Sequence, residues 1–403
     1  MTPAGYIILF LLAAFFVALL AYAAHIVYLM RQLDVASEQA RRYSVCPACH
    51  RVIRLTWFMC RCGQAHELIP TEKEVFYKQC SCGQRLPKVP QQGRDELVAL
   101  CPHHHPYYPI GKYTGTLPEV VIPIIGSMAA GKSAFLAAWT VFTQGQLQYQ
   151  FGVDVTYPFD GGPKYATDCV QRFQQGAPIP RTSIRNPVSF GMDIVSRTSR
   201  KGIRLFLYDP AGEVFDPLGG ESENSLAPFG YYDFMDGAIF VIDPFSLPAL
   251  RRKYSQSQLN DYGLVASDKQ TDDTCEKFIR GMYEHGLDRD KYHYASCAVV
   301  ITKADAFDLD SLIGKAAAQK NMADDPDLSF EDALDEVCST KLEEWGMGRV
   351  LELLDSHFKE VRCFSVSAFG HKAQPGVPYA PQRVELPILW LLRKQRNNVF
   401  VSR

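Results

Sequence analysis

Residues 126–133 read GSMAAGKS, between the apolar runs EVVIPII (119–125) and AFLAAWTVF (134–142). Gly126 and Gly131 bracket a loop whose backbone amides can wrap a polyphosphate. Within that geometry Lys132 reaches the β- and γ-phosphates and the Ser133 hydroxyl ligates Mg2+. The flanking runs predict strand, loop and helix, and the helix start offers the positive end of its dipole to the same anion. The candidate nucleotide cradle is therefore Gly126, Ser127, Ala129, Ala130, Gly131, Lys132, Ser133 and Ala134. Pro123 falls inside the predicted strand; because proline donates nothing to a ladder, the strand is expected to begin after it or to bulge there.

Three later strand ends decide which nucleotide the loop would take. In IRLFLYDPAGE (203–213), Asp209 is placed to hold Mg2+ through water and the Gly212 amide to meet a γ-phosphate. After a further buried run, GAIFVID (237–243), the segment CAVVITKAD (297–305) sets Thr302, Lys303 and Asp305 in a T-K-x-D arrangement. A carboxylate there accepts from guanine N1–H and the exocyclic amine together, a pattern adenine does not present. That favours GTP. In CFSVSAFG (363–370), a backbone amide at Ser367–Ala368 is available to guanine O6. All of these positions follow apolar runs, as expected for a ligand at the carboxyl edges of a doubly wound, mostly parallel α/β sheet.

From about residue 118 onward the chain resembles P-loop GTPases of the Ras-like, translation-factor-related (TRAFAC) clade and is similar to bacterial double-GTPase-like proteins. The resemblance rests on GSMAAGKS, DPAGE, TKAD and SAF, with RVELPILWLL (383–392) as a closing helix. It implies GTP/GDP and Mg2+ as cofactors and a switch threonine between the first helix and DPAGE. Thr182, in PIPRTSIRNPVSFGMDI, is the choice for that role, with Ser133 and Asp209 as the other Mg2+ ligands. Two departures stand out. Thr302 replaces the usual asparagine before Lys303, and Glu213 occupies the place of the glutamine that orients attacking water. A carboxylate beside a γ-phosphate is unfavourable, so hydrolysis is expected to be slow or to need a protein activator.

The chain has 403 residues, enough for more than one folded unit, and a formal net charge of −2, which does not favour nucleic acid as a partner. Gly5–Met30 carries no charged side chain apart from a proton on His25. About 26 helical residues rise about 39 Å, more than a hydrocarbon core of ~30 Å. A signal peptide would need a basic leader, which MTPAG lacks. Arg31, Arg41 and Arg42 follow the run, so the N-terminus is expected outside and the rest in the cytoplasm.

Of twelve cysteines, seven fall between 46 and 101. Short knuckles, CPAC, CRC, CSC and CPHH, supply the paired ligands of structural Zn2+, and a reducing compartment disfavours disulfides. Sequential pairing predicts two ions, one on Cys46, Cys49, Cys60 and Cys62 and one on Cys80, Cys82, Cys101 and His104, with an interleaved arrangement as the alternative and His103 or His105 as substitutes for His104. Cys169, Cys275, Cys297, Cys338 and Cys363 have no partner pattern and are expected to be buried, inert thiols.

The expected layout is a transmembrane anchor (1–30), a juxtamembrane helix or linker (31–45), tandem zinc ribbons (46–110) and a P-loop GTPase domain (115–403). The expected function is a membrane-anchored GTP-hydrolysing switch with a protein effector or activator as partner. The alternative is a catalytically weak, nucleotide-binding scaffold that recruits a protein through its ribbons.

Overall fold

The computed structural model describes residues 3–41, 43–46, 52–54, 57–71, 74–103, 107–112, 114–115, 117–158, 161–177, 189–199, 201–208, 235–267, 271–285, 295–372, 374–395 and 400. The chain divides into two compact units, Met1–Cys46 with Arg51–Thr116, and Leu117–Arg403 with Pro47–His50.

The smaller unit begins with helix α1 (Pro3–Arg41), which continues well beyond the apolar run. Within it, Phe10–Arg31 has a mean hydropathy of 2.4 and none of its window is buried. Length and composition suffice for a membrane crossing, and the phenylalanines and leucines from Phe10 to Leu20 are exposed. Short strands follow: β1 (Tyr43–Val45), β2 (Val52–Arg54), β3 (Trp57–Met59), β4 (Ala65–Glu67), β5 (Tyr77–Gln79), β6 (Arg85–Pro87), β7 (Ala99–Cys101) and β8 (Tyr108–Gly111). Strands β4, β3, β7 and β8 form one sheet in that order, while β1–β2 and β5–β6 are separate hairpins. Phe58, Leu68, Leu86, Val89, Leu100 and Ile110 make its small core.

The larger unit is built on seven strands: β9 (Glu119–Ile125), β10 (Val153–Thr156), β11 (Ser189–Ser196), β12 (Gly202–Tyr208), β13 (Gly237–Ile242), β14 (Ser296–Ile301) and β15 (Glu360–Ser365). Their spatial order is β10-β11-β12-β9-β13-β14-β15. Every neighbour pair from β12 to β15 is parallel, and β10–β11 and β11–β12 are antiparallel. The unbroken burial of β12, β13 and β14 is what a sheet covered on both faces requires. Helices α2 (Lys132–Gln144), α3 (Gln146–Phe151), α4 (Gly161–Gln174), α5 (Pro248–Lys253), α6 (Gln256–Tyr262), α7 (Thr271–His285), α8 (Leu309–Ile313), α9 (Lys315–Asp324), α10 (Phe330–Glu344), α11 (Gly348–Asp355) and α12 (Glu385–Arg393) complete the unit. The five scattered cysteines are all buried in it, and burial pushes the Cys275 and Cys338 thiols up to about 12.

Pro123 neither starts nor bulges the strand. β9 runs through it in continuous register, Pro123 opposite Tyr208 at the last pairing with β12, and β13 takes up the pairing at Ile124 and Ile125. The proline thus sits where the strand changes partners, at a position where a missing donor does little damage.

One buried ion pair fixes the antiparallel edge. Arg204 on β12 lies directly opposite Asp193 on β11 and donates to both carboxylate oxygens, Nε to Oδ1 at 2.6 Å and Nη2 to Oδ2 at 2.8 Å. Both residues are nearly inaccessible to solvent. Asp193→Ala leaves a buried guanidinium without that carboxylate and is expected to cost about 3–5 kcal/mol, read as a lower urea midpoint for the larger unit. Replacing both residues by apolar ones is expected to cost far less.

Candidate nucleotide and metal sites

The turn after β9 needs a backbone that few residues adopt. Gly131 has φ +91°, and a Cβ there would lie 3.3 Å from Thr302 Oγ1. At Gly126 the constraint is space, since a Cβ would come within 2.7 Å of the Val241 carbonyl oxygen. Ala129 also takes a left-handed conformation, φ 64°, a strained choice for a residue with a side chain. Its carbonyl accepts from Lys303 Nζ at 3.0 Å. Within the loop Ala130 N–H donates to the Ser127 carbonyl at 3.2 Å, and Phe135 N–H closes the first turn of α2 onto the Gly131 carbonyl at 2.9 Å. Lys132 Nζ folds back to the carbonyls of Gly126 and Ser127, at 2.8 and 3.1 Å. The ammonium is thereby held over the loop where an anion would sit. Ser133 and Ala134 follow it on the first turn of α2, both half-buried.

The T-K-x-D loop after β14 is bonded directly to the phosphate loop. Thr302 Oγ1 donates to the Ala130 carbonyl at 2.7 Å. One short hydroxyl thus spans from strand to loop, with the Ile242 carbonyl a second acceptor at 3.3 Å. Lys303, at φ 56°, spends all three ammonium protons: on the Ala129 carbonyl at 3.0 Å, on Asp243 Oδ2 at 2.8 Å and on the Val265 carbonyl at 2.8 Å. Asp305 is oriented by Ser367, whose Oγ donates to Oδ1, and its own carbonyl accepts from the Tyr262 hydroxyl at 2.8 Å. Ser367 is fully buried and its Oγ in turn accepts from the Gly370 amide at 2.7 Å. Ala368, the next residue, is half-buried. One carboxylate oxygen is thus pinned by the strand end that carries Ser367–Ala368, which sets the plane of the group.

The structure brings Gly126, Ser127, Ala129, Ala130, Gly131, Lys132, Thr302, Lys303, Asp305 and Ser367 into one connected array at the carboxyl ends of β9, β14 and β15. Asp209, Gly212, Glu213 and Thr182 lie outside the described residues. Asp243 belongs to the array and was not singled out in the sequence, although an acid directly after the apolar run of β13 is a legible signal. It is fully buried, and it also accepts from the amides of Phe245 and Ser267.

In the smaller unit, the sequential grouping of cysteines is corrected. The sulfurs of Cys60, Cys62, Cys80 and Cys82 all lie within 4.8 Å of one another. Cys60 Sγ to Cys82 Sγ is 3.5 Å and Cys62 Sγ to Cys80 Sγ is 3.7 Å. Tetrahedral Zn–S bonds of about 2.3 Å require S···S distances near about 3.8 Å, so the set fits Zn2+. The reason for the grouping is a two-fold relation between the CxCGQ turns. In each, Gly63 (φ +82°) or Gly83 (φ +85°) donates its amide to the first cysteine's carbonyl, and the cysteine's own amide bonds the glutamine carbonyl. Each glutamine then crosses over: Gln84 Oε1 lies 3.1 Å from Cys60 Sγ and Gln64 Oε1 3.3 Å from Cys80 Sγ. The two turns face one another around one centre. The Cys82 amide is the largest influence on the Cys80 thiol and lowers it to about 6, whereas at Cys60 the lowering by the Cys62 amide is outweighed by burial and the neighbouring thiols, which push it up to about 12, so Cys80 gives up its proton first. Cys46 and Cys101 are buried and stand apart from this cluster, and Cys49 and His104 lie outside the described residues.

No curated protein matches the sequence. The family model described as Double-GTPase 2 matches residues 120–377, which spans the phosphate loop, the T-K-x-D loop and Ser367–Ala368. That match covers more than half of the chain, and with the site above in view the chain belongs to the Double-GTPase 2 family.

Proposed function

We propose that this protein is a membrane-anchored switch that binds and slowly hydrolyses GTP, with α1 as the anchor and a zinc-bound module beside it. The observation that carries the reading is the Asp305 carboxylate, oriented by Ser367, on a loop whose Thr302 and Lys303 are bonded to Ala130 and Ala129 of the phosphate loop. Base recognition and phosphate recognition are tied by two hydrogen bonds, so a ligand spanning both meets a preorganised surface. In this reading Lys132 and the loop amides hold the phosphates. Ser133, Thr182 and Asp209 hold Mg2+, which supplies charge neutralisation at the transferred phosphoryl group. Asp305 takes the guanine edge and the Ala368 amide its O6. Glu213 sits beside the attacking water. With Arg31, Arg41 and Arg42 after the apolar run, the ribbons and the GTPase domain are cytoplasmic. Loss of the γ-phosphate would release the switch segments and alter what a protein partner sees.

The test is competition for a fluorescent GTP analogue on the full-length protein in detergent or nanodiscs. GTP and GDP are expected to displace it and ATP to fail; equal displacement by ATP overturns the assignment of Asp305. Glu213 also supports a second reading, a nucleotide-binding scaffold without turnover. Under the switch reading Glu213→Gln removes a charge next to the γ-phosphate and is expected to raise phosphate release roughly tenfold, about 1.4 kcal/mol of barrier. Background release from wild type, Glu213→Gln and Glu213→Ala alike favours the scaffold.

A further inference from the structure

The polypeptide between β13 and β14 makes four ties into the array just described, and none belongs to a phosphate- or base-reading motif. Tyr262, the last residue of α6, donates its hydroxyl to the Asp305 carbonyl at 2.8 Å. The Val265 carbonyl receives Lys303 Nζ at 2.8 Å. The Ser267 amide donates to Asp243 Oδ2 at 2.9 Å, the same carboxylate oxygen that receives Lys303. The Ser267 hydroxyl donates to Ser127 Oγ inside the phosphate loop at 2.8 Å. Ser267, Asp243 and Ser127 are all nearly inaccessible to solvent, and the Ser267 carbonyl accepts from Arg251 on α5. Within six residues, one strap bonds the base loop at two points and the phosphate loop at a third.

We propose that residues Tyr262–Ser267 form a nucleotide-retention clasp, with Ser267 as its positioning residue, holding Ser127 and Lys303 in the relative placement a bound nucleotide needs. The inference rests on the nucleotide-binding reading above and adds to it the device that sets how long the nucleotide stays. Three features favour retention over generic packing. The Ser267–Ser127 bond joins residues 140 positions apart and is buried, so its loss leaves a buried hydroxyl without that partner. Asp243 couples Ser267 to Lys303 through a single oxygen, so displacement of the strap disturbs the lysine that braces Ala129. The strap's middle, Val265, is exposed, which makes it accessible to whatever would open the clasp.

The experiment measures dissociation of a fluorescent GDP from the full-length protein after chase with unlabelled GDP, for wild type, Ser267→Ala, Ser127→Ala, the double variant and Ser267→Thr. Ser267→Ala and Ser127→Ala are each expected to release GDP about tenfold faster, because each removes the same buried bond. The double variant is expected to be no faster than either, and Ser267→Thr, which keeps the hydroxyl, to return most of the retention. Melting of the nucleotide-free proteins distinguishes a folding defect from a retention defect; should Ser267→Ala not fold, Ser127→Ala alone must still release faster. Multiplying effects in the double variant, or wild-type release from the single variants, overturn the clasp while leaving nucleotide binding intact. Wild-type protein that retains no guanine nucleotide overturns both.

Discussion

Asp305→Asn is expected to weaken GTP binding by about 10²- to 10⁴-fold while leaving the larger unit folded. The carboxylate would accept two hydrogen bonds from one guanine edge, and bonds to a charged group contribute about 1.5–3 kcal/mol each, so together about 3–6 kcal/mol. Asparagine keeps the shape and keeps an oxygen for Ser367, but it turns an NH2 toward a donor edge. Two donors then face one another, one on asparagine and one on the guanine edge. The variant carries its own control: xanthine presents a carbonyl where guanine has its amine, so xanthosine triphosphate is expected to bind Asp305→Asn better than GTP does and to bind the wild type poorly. An isothermal titration of both nucleotides against both proteins decides it. A variant that binds GTP as the wild type does would show that the carboxylate faces something other than a base.

That prediction was open to the sequence alone because the features behind it are local. Gly131 is demanded by the left-handed turn of the loop itself, φ +91°, and so marks the loop from sequence, whereas the close approach of Gly126 to Val241 and of Gly131 to Thr302 appears only in the fold. Apolar runs ending in chemistry-bearing residues announced β9, β12, β13, β14 and β15, and the closing helix appeared as α12. The unread part is non-local. Nothing around Ser267 distinguishes it from any serine in a polar segment, and its role appears only once the fold brings it to Ser127. Tyr262 is similar, an aromatic residue in an amphipathic segment that reads as packing. Thr302 looked like a departure from a pattern. What the fold adds is its partner, the Ala130 carbonyl, to which the hydroxyl donates.

The cysteines show the same limit with a larger consequence. Cys60–Gln64 and Cys80–Gln84 carry the same CxCGQ pattern, and a repeated knuckle says that it will share a metal without saying with which other knuckle. Sequential pairing is the shorter path along the chain. The crossed glutamines favour the opposite choice: Gln84 Oε1 accepts from the Arg61 amide and Gln64 Oε1 from the Ser81 hydroxyl, both at 3.0 Å, which bonds each turn to the other.

The two arrangements differ in stoichiometry, and the difference is the largest effect the protein offers. If Cys60 and Cys80 served different ions, the double variant Cys60→Ser, Cys80→Ser would lose two zinc ions per chain and each single variant one. With Cys60, Cys62, Cys80 and Cys82 around one centre, all three variants are expected to lose the same single ion, measured by zinc content of the purified full-length protein. The structural consequence should be severe. A structural zinc contributes about 10–16 kcal/mol in small ligand-nucleated folds, and the smaller unit, with strands of three or four residues and a core of single residues such as Phe58 and Leu86, has little else to offset the loss. Chelation is expected to make residues 57–101 sensitive to protease. Nucleotide binding by the larger unit should persist, because among the described residues its array draws only on that unit. Protease resistance that survives complete removal of zinc would mean that the four sulfurs converge for packing alone, and the two-fold arrangement of the CxCGQ turns would then need no metal to maintain it.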